Sequence, residues 1–403
     1  MSVLRPFRAV RPARESAAAV SSVPYDVVST DEARRLAAGN PLSFLHVTRS
    51  EIDLPDATDP YSAQVYAKAK ENFAALRRRA PLVEEDEPSL YFYRLRMGGH
   101  EQTGIAACFS LDDYDRDLIK KHERTRRDKE DDRTRHIVEL RAQTGVVFLT
   151  YKASDTIDRL SRAVTADAPL YDFRADDGIY HTIWKVPPQE ARALVDAFGD
   201  VPALYIADGH HRAASAARAR AELGDASAEA ASFIAVAFPD SQMQILPYHR
   251  TVKDLAGQAP AAFLAALRAR LPVTSGSPVP ARKGEVSMYL DGAWHTLDLS
   301  KAAPADASRA SGLDVALLQQ HVLEPLLKIG DVRTDKRIDF VGGARGTAAL
   351  EAAVDEGRAA VAFSMHPVTI DDLMTISDEG GIMPPKSTWF EPKLRDGLLV
   401  HVI

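Results

Sequence analysis

The sequence predicts an α/β protein built from more than one compact unit. The apolar run Ala203–Ala207 ends at Asp208-Gly209, and an alanine-rich segment follows, which indicates a strand, a tight turn and a helix. The runs Leu90–Met97 and Thr103–Phe109 are joined through a pair of glycines, which indicates a hairpin in an antiparallel sheet. A chain of 403 residues is long enough for two or three such units.

The N-terminal region predicts a strand followed by helices. Val23–Val28 has the composition of a strand. Ser29 precedes Glu32 by three residues, the spacing of a capping box, so a helix is expected from there until Gly39 ends it. Residues 60–80 place apolar side chains at helical spacing among charges, which predicts an amphipathic helix.

Alternating apolar runs continue through the chain and change character near residue 255. Further strands are predicted at Gly145–Tyr151, His181–Val186 and Ala231–Phe238, and helices at Pro188–Phe198 and Ala261–Leu271. Asp291-Gly292 predicts a second hairpin turn. We therefore divide the chain into residues 1–255, which contain the turn at Asp208 and an inserted charged helical segment, and a C-terminal α/β region, 256–403, whose tail returns to the site.

The composition argues against several classes of protein. With 45% apolar and 27% charged residues the chain reads as a globular protein, and its net charge of −7 favours neither nucleic acid nor an anionic membrane as a partner. The single cysteine, Cys108, lies in an apolar run and can form no internal disulfide, which fits a buried core residue and a cytoplasmic location. No apolar run approaches a membrane span, and Met1–Arg8 lacks the apolar stretch of a signal peptide. The sequence leaves homo-oligomerisation open.

The strongest functional pattern is the turn Asp208-Gly209-His210-His211-Arg212 between the predicted strand and helix. A helix N-terminus offers unpaired N–H groups and a positive dipole to an anion. Arg212 can grip a phosphate or carboxylate, the histidines can donate or move protons, and Asp208 can hold a metal ion or orient a histidine. The alternative is an N-capping Asp208 followed by solvated histidines.

Three further segments carry candidate ligands for anions. The charged stretch Leu111–Arg141 contains Lys121, His122, Glu123 and Arg124 and indicates either two helices with solvated faces or a cationic patch that holds phosphates. His249 and Arg250 form a second ligand pair for a phosphate or carboxylate. The tail offers Lys386 to a phosphate and Trp389 to a base, with Ser387 between them, or is a packing arm.

These motifs together resemble the domain-of-unknown-function family 1015 (DUF1015), and the resemblance extends over nearly the whole chain. It rests on the Asp208–Arg212 turn and on four more segments, namely Val23-Pro-Tyr-Asp-Val27, Asn40-Pro-Leu-Ser-Phe-Leu-His-Val47, Gln244-Ile-Leu-Pro-Tyr-His-Arg250 and Met383-Pro-Pro-Lys-Ser-Thr-Trp-Phe390. The resemblance implies a relation to the ParB and sulfiredoxin superfamily, with a mixed sheet at its core. It also implies a kinase that makes O-phospho-L-serine from free L-serine and a nucleotide.

The resemblance assigns roles to the candidate residues. The Gly209–Arg212 turn with its histidines would cradle the phosphates of ATP or ADP, and Asp208 would orient a histidine or bind Mg²⁺. The base would be Glu32 or Glu123, and Asn40, Ser43 and His46 would help to hold the amino acid. The alternative is a nucleotide-binding regulatory or ParB-like protein without small-molecule turnover, although no helix-turn-helix module is evident.

Overall fold

The computed structural model describes residues 4–79, 82–224, 227–303 and 307–403. The chain forms two compact units. The first unit contains the residues up to Met243 together with Pro392–Ile403, and the second unit contains Gln244–Glu391. The division predicted between residues 255 and 256 stays a prediction. Residues 1–3 of the N-terminal stretch and residue 80 of the helix predicted over 60–80 lie outside the described residues.

The described chain alternates short strands with helices. The strands are β1 (Leu4–Arg5), β2 (Ala9–Arg11), β3 (Val83–Glu84), β4 (Tyr91–Met97), β5 (His100–Ser110), β6 (Ile119–Lys120), β7 (Ala142–Gln143), β8 (Val147–Tyr151), β9 (Tyr171–Arg174), β10 (Tyr180–Lys185), β11 (Leu204–Asp208), β12 (Ser232–Pro239), β13 (Ile245–Leu246), β14 (Tyr248–Val252), β15 (Val273–Ser275), β16 (Glu285–Leu290), β17 (Ala293–Asp298), β18 (Ile338–Gly342), β19 (Val361–Met365), β20 (Trp389–Phe390) and β21 (Val400–Val402).

The α-helices are α1 (Ala17–Val20), α2 (Thr30–Ala37), α3 (Leu45–Thr48), α4 (Ala63–Arg79), α5 (Leu111–Asp115), α6 (Arg127–Leu140), α7 (Asp155–Thr165), α8 (Pro188–Gly199), α9 (His210–Leu223), α10 (Pro260–Arg268), α11 (Asp314–Leu318), α12 (Glu324–Leu327), α13 (Ala348–Asp355) and α14 (Ile370–Asp378). A π-helical turn, Gln319–Leu323, joins α11 to α12.

The core of the first unit is a nine-stranded mixed sheet in the order β6-β11-β8-β12-β5-β4-β10-β9, with β1 paired to β5. Strand β12 pairs parallel with β8 and antiparallel with β5, and all its residues are buried, which explains its almost continuous apolar sequence. Gly104 of β5 is required here because a Cβ atom would lie 2.7 Å from the carbonyl oxygen of Ala237. The predicted mixed α/β class is confirmed.

A smaller sheet of the first unit brings the two chain ends together. Its order is β3-β2-β21-β7, so the C-terminal strand β21 pairs with β2 near the N-terminus and with β7. Helices α3 and α4 pack beside it through Phe44 and Phe73, whose ring centroids are 6.3 Å apart. The last residues of the chain are therefore part of the first unit's fold.

The second unit is built on a six-stranded sheet, β15-β17-β16-β19-β14-β18. Its central hairpin β16–β17 turns at Asp291-Gly292, as predicted, and both residues have positive φ. Helix α13 packs on this sheet through Leu350, which is buried with Tyr289 and Ala362. A separate two-stranded ladder joins β13 to β20.

Most local predictions are confirmed, and one is wrong. The capping box at Ser29 and Glu32 is present at the start of α2, and Cys108 is buried in β5. The stretch Val23–Val28, predicted to be a strand, instead contains a 3₁₀ turn at Tyr25–Val27. Tertiary contacts override the local preference there, because Tyr25 is buried beside the side chain of Arg133. In the described ranges, no helix is long and apolar enough to cross a membrane.

Candidate functional site

The candidate site is organised by Gly209, which joins β11 to α9. Gly209 is the N-cap of α9 and has φ 93°, a left-handed conformation that glycine adopts at little cost. A Cβ atom at this position would also lie 3.3 Å from Nη1 of Arg212. No side chain of the described residues caps the helix at Gly209, and the first N–H groups of a helix have no acceptor within it. The turn therefore presents backbone donors at the positive end of the helix dipole.

Asp208, the last residue of β11, is held by two cations. Its Oδ2 lies 3.0 Å from Nζ of Lys393 and 3.7 Å from Nη2 of Arg212, and its Oδ1 accepts a hydrogen bond from the N–H of Gly209 at 3.0 Å. Burial acts to raise the pKa of Asp208, but Lys393 and Arg212 outweigh it and hold the pKa well below its usual range. Asp208 is thus an anion with both oxygens engaged.

Arg212 is buried and bonded to protein groups. Its Nη2 donates to both carboxylate oxygens of Asp26, at 2.9 and 3.2 Å, and its Nη1 donates to the carbonyl of Val146. Burial acts to lower the pKa of Arg212, but Asp26 and Asp208 raise it above its ordinary value. In this structure the guanidinium ties the start of α9 to the segment before α2 and to the segment before β8.

His210 packs against the segment that follows β6. Its ring lies edge-on to the ring of His122, with the centroids 4.4 Å apart, and its Nε2 accepts a long hydrogen bond of 3.4 Å from the N–H of His122. Its Nδ1 lies 3.9 Å from Oε2 of Glu123. Burial lowers the pKa of His210 and brings that of His122 to about 4. The two buried rings are therefore neutral near pH 7.

His211 is half-buried and contacts the same segment. Its Nε2 accepts a hydrogen bond of 3.0 Å from the N–H of Arg126, so the neutral ring carries its proton on Nδ1. Burial lowers the pKa of His211, which favours this neutral form. The structure thus brings together the two segments that the sequence singled out most strongly, residues 122–126 and 208–212.

The cationic side chains of residues 121–126 differ in their contacts and in their exposure to solvent. Nζ of Lys121 donates to the carbonyl of Tyr114 at 2.9 Å and lies 3.5 Å from the carboxylate of Asp117. The side chain of Arg126 pairs with Asp128 on α6. Arg124 is exposed. The segment meets α9 through backbone N–H groups and through the side chains of His122 and Glu123, while Lys121 and Arg126 are bonded to neighbouring residues.

A second polar group of the first unit contains Ser43 and His46. They line a cleft of about 230 Å³ together with Asp53, Lys68, Asn72 and Arg79. Nδ1 of His46 lies 2.8 Å from Oδ1 of Asp53, and its Nε2 lies 3.2 Å from the carbonyl oxygen of Asn40. The amide of Asn40 donates to the carbonyl of Ala19 at 2.8 Å, so this side chain shapes the turn before α3.

The His46–Asp53 pair predicts a pH-dependent contribution to stability. The hydrogen bond to Asp53 raises the pKa of His46; burial acts to raise that of Asp53, but His46 lowers it. The pair therefore stabilises fully between about pH 4 and 6.5, loses its effect as the pH rises through the raised pKa of His46, and also loses it in acid as Asp53 protonates. Urea unfolding should show His46→Gln less stable than wild type by about 1 kcal/mol near pH 5.5 and by less at pH 9. A difference that does not change with pH would contradict this, and His100→Gln is the control.

Glu32 lies on α2, where it completes the capping box. Its Oε2 accepts hydrogen bonds from the N–H of Ser29 at 2.8 Å and from the Ser29 hydroxyl at 2.9 Å. Glu32 follows Asp26, the partner of Arg212, by six positions. Its carboxylate therefore stabilises the start of α2, and a catalytic role of Glu32 must be compatible with these hydrogen bonds.

His249 and Arg250 lie in the second unit, on β14, and both are buried. Nδ1 of His249 accepts a hydrogen bond of 3.1 Å from the N–H of Met365. Arg250 donates from Nη2 to the carbonyl of Lys386 at 2.9 Å and from Nη1 to that of Tyr248. Burial lowers the pKa of Arg250 to about 10. The structure brings Arg250 and the backbone of Lys386 together, and a ligand role for either stays a prediction.

The tail of the second unit is packed rather than extended into solvent. The ring of Trp389 lies 5.0 Å from that of Tyr248, and a Cβ atom on Gly342 would lie 2.6 Å from Cε2 of Trp389. The hydroxyl of Ser387 donates to the carbonyl of Pro384 at 2.6 Å. Trp389 thus packs against Tyr248 and Gly342, and its role toward a nucleotide base stays a prediction.

A family model identifies the relatives of the chain. Residues 4–316 match the model described as "Protein of unknown function (DUF1015)". The chain belongs to the DUF1015 family. No sequence among the curated proteins shows significant similarity to it. The relation of this DUF1015 protein to ParB and sulfiredoxin stays a prediction.

Solved structures align with this DUF1015 protein at low identity. SbnI with C-terminal truncation from Staphylococcus aureus is 13% identical over 74% of this chain and 87% of its own, with a TM-score of 0.41. A conserved hypothetical protein from Pyrococcus furiosus is 14% identical over 74% and 95%, with a TM-score of 0.37. A free serine kinase in complex with AMP is 13% identical over 73% and 91%, with a TM-score of 0.37. Similarity at this level identifies neither a shared activity nor a shared ligand.

Asp208, the predicted Mg²⁺ ligand of this DUF1015 protein, is bonded to the chain in the observed structure, and its role as an Mg²⁺ ligand stays a prediction. Mg²⁺ takes oxygen ligands and is commonly held by one or two carboxylates together with phosphates and water. Both oxygens of Asp208 already accept from the chain, and Lys393 and Arg212 place positive charge beside them. The carboxylate therefore orients the turn and neutralises those cations.

Two residues of the site carry no role in the sequence-based predictions. Asp26 lies within a motif that supported the family resemblance. Its carboxylate in that motif was the sequence feature that could have marked it as a site residue. Lys393 contacts Asp208 across 185 positions of the chain, and no local pattern distinguishes it from other lysines. Both pairings depend on how the chain folds.

Proposed function

We propose that this DUF1015 protein is a nucleotide-dependent kinase of a small hydroxyl substrate, with free L-serine as the first candidate. The observation that carries the proposal is the N-terminus of α9, where Gly209 exposes backbone donors and His210 and His211 meet residues 122–126. Such an arrangement of amide donors and a helix dipole favours a phosphate group. The serine acceptor follows from the family resemblance in the five motifs.

The phosphates of the nucleotide would lie at the first turn of α9. The N–H groups of the first turn point toward this position, and the Nδ1–H of a neutral His211 can donate to a phosphate oxygen. Arg124 is an exposed cation of the adjoining segment and can pair with a phosphate without leaving a buried position. Arg212 would act as a positioning residue, because its guanidinium holds Asp26 and the turn in place.

The amino acid would occupy the polar cleft beside α3 and α4. Lys68 and Arg79 suit its carboxylate, and Asp53 suits its ammonium group. Helix α6 links this region to α9, because Nε2 of His136 bonds the carbonyl of Val47 and the hydroxyl of Ser215 bonds the carbonyl of Glu130. We propose Glu32 as the base that positions the acceptor hydroxyl, since α2 begins shortly after Asp26.

Phosphorus NMR of the purified protein tests the proposed reaction. The protein is mixed with a magnesium salt, with ATP or ADP in turn, and with a panel of hydroxyl amino acids that includes L-serine. The expected result is a phosphomonoester signal that requires serine and is lost in His211→Ala. Nucleotide that binds but stays intact with every acceptor would overturn the kinase proposal and favour a regulatory nucleotide-binding protein.

Glu32→Gln separates the proposed base from the capping box. Glutamine preserves the capping-box pattern, so α2 should stay folded while the base is lost. We expect serine-dependent turnover to fall at least about 100-fold with an unchanged circular dichroism spectrum. Asp31→Asn, at the neighbouring exposed carboxylate, is the control and should keep its activity. Activity within a few-fold of wild type in Glu32→Gln would exclude Glu32 as the base.

A further inference from the structure

His122 is a buried histidine with one ring nitrogen unused. Its side chain is almost completely buried, and Nδ1 has no hydrogen-bond partner among the residues that the structure describes. A neutral imidazole that carries its proton on Nε2 keeps a lone pair on Nδ1, and this lone pair can bind a metal ion.

Two other potential metal ligands lie close to the His122 ring. One ligand atom from each of His122, Glu123 and His210 can be chosen so that all three lie within 4.8 Å of one another. In tetrahedral zinc sites with bonds of about 2.0–2.1 Å, the ligand atoms are about 3.4 Å apart. Glu123 is half-exposed, so rotation of its side chain can close much of the difference. The His210–His122 hydrogen bond of 3.4 Å is at the long limit, and losing it to metal coordination costs little.

We infer that His122, Glu123 and His210 bind a divalent transition-metal ion. Two imidazoles and one carboxylate form the ligand set of many zinc sites with an open fourth position, and they suit Zn²⁺, Co²⁺ or Fe²⁺ better than Mg²⁺ or Ca²⁺, which prefer oxygen ligands. Two neutral imidazoles and one carboxylate also leave a positive charge on the complex. That charge favours an anionic fourth ligand at the start of α9.

The ion would lie in a charged environment that balances it. The carboxylate of Glu123 lies 3.9 Å from His210, Lys121 is bonded to Tyr114 and Asp117, and Asp208 is paired with Lys393. The carboxylate of Glu123 offsets the positive helix dipole that would otherwise disfavour a cation. This inference does not rest on the proposed kinase activity, because metal binding is measured without nucleotide or amino acid.

Spectroscopic titration with Co²⁺ tests the site on the full-length, untagged protein. Metal-stripped protein should bind one equivalent of Co²⁺ and develop visible absorption bands of a four- or five-coordinate ion. Zn²⁺ should displace the Co²⁺ and remove the bands, whereas a large excess of Mg²⁺ should not. Glu123→Gln and His122→Ala should each weaken binding at least about 100-fold, since loss of a direct ligand exceeds the effect of losing an outer partner.

Matched variants separate metal binding from folding. Glu87→Gln and His100→Ala, both outside the cluster, should bind Co²⁺ as wild type does. Glu123 is half-exposed, so Glu123→Gln should keep the wild-type thermal unfolding of the metal-free protein even where His122→Ala does not. Absence of stoichiometric Co²⁺ binding, equal binding in wild type and Glu123→Gln, or displacement by Mg²⁺ would each overturn the inference.

Discussion

Asp396→Asn should stabilise the protein at neutral and alkaline pH. Asp396 is buried, and its Oδ2 has no hydrogen-bond partner among the described residues. Burial raises its pKa to about 7, although Arg212 and a backbone hydrogen bond from Tyr25 act in the opposite direction. Asp26 adds to the increase by repulsion, and Arg133 opposes it. The folded protein thus holds a proton that the unfolded chain loses near pH 4.

This difference in proton binding determines whether Asp396 stabilises or destabilises the fold at a given pH. Between about pH 4 and 7 the folded state binds more protons than the unfolded chain, so the contribution of Asp396 to stability falls as the pH rises. Asparagine carries no such charge. The free energy of unfolding of Asp396→Asn, relative to wild type, should therefore increase by about 2–4 kcal/mol from pH 4 to pH 8.

Urea unfolding at several pH values measures this change. Asp86→Asn, at an exposed turn, is the matched control and should differ from wild type by less than about 0.5 kcal/mol at every pH. The pH dependence of the difference is the decisive quantity, because the amide can alter packing by a constant amount. A difference that is flat from pH 4 to pH 8 would show that Asp396 ionises normally in the fold.

Arg212→Met should have the largest destabilising effect. The substitution leaves the buried carbonyl of Val146 without its donor and removes the cation that faces Asp26, Asp208 and Asp396. Breaking a buried ion pair by removing one partner costs about 3–5 kcal/mol, since the remaining charges lose their compensation. We expect a loss near the lower end of that range in the free energy of unfolding near pH 7, because about a third of the Asp26 and Asp208 side chains is exposed to water.

Arg218 provides the control on the same helix. It pairs with Glu130 and Asp131, but a third of its side chain is exposed, so Arg218→Met should cost less than about 1 kcal/mol. In the double variant Arg212→Met/Asp396→Asn the loss should be smaller than the sum of the single effects by about 1 kcal/mol or more, because the asparagine no longer needs a cation. Equal losses for Arg212→Met and Arg218→Met would contradict the assigned role of Arg212.

Local patterns in the sequence predicted the elements that carry the site. The apolar run ending at Asp208-Gly209 became β11 and the alanine-rich segment became α9, since strand and helix preferences act over a few residues. The Ser29–Glu32 capping box and the Asp291-Gly292 hairpin were found for the same reason. The strand predicted at Val23–Val28 was wrong because the burial of Tyr25 outweighs a weak strand preference.

The sequence by itself determined the α/β class, the strand–turn–helix at residues 204–223 and the residue types available for chemistry there. Only the tertiary structure decided which of them meet. It set Lys393 on Asp208, Asp26 on Arg212 and His122 against His210, pairs separated by between 88 and 186 positions of the chain. Such pairings depend on the order of strands in the sheet and on the return of the C-terminus to the first unit. Neither the strand order nor the return of the C-terminus produces a periodic sequence pattern. A contact between distant segments requires nothing of the residues that neighbour it in the sequence.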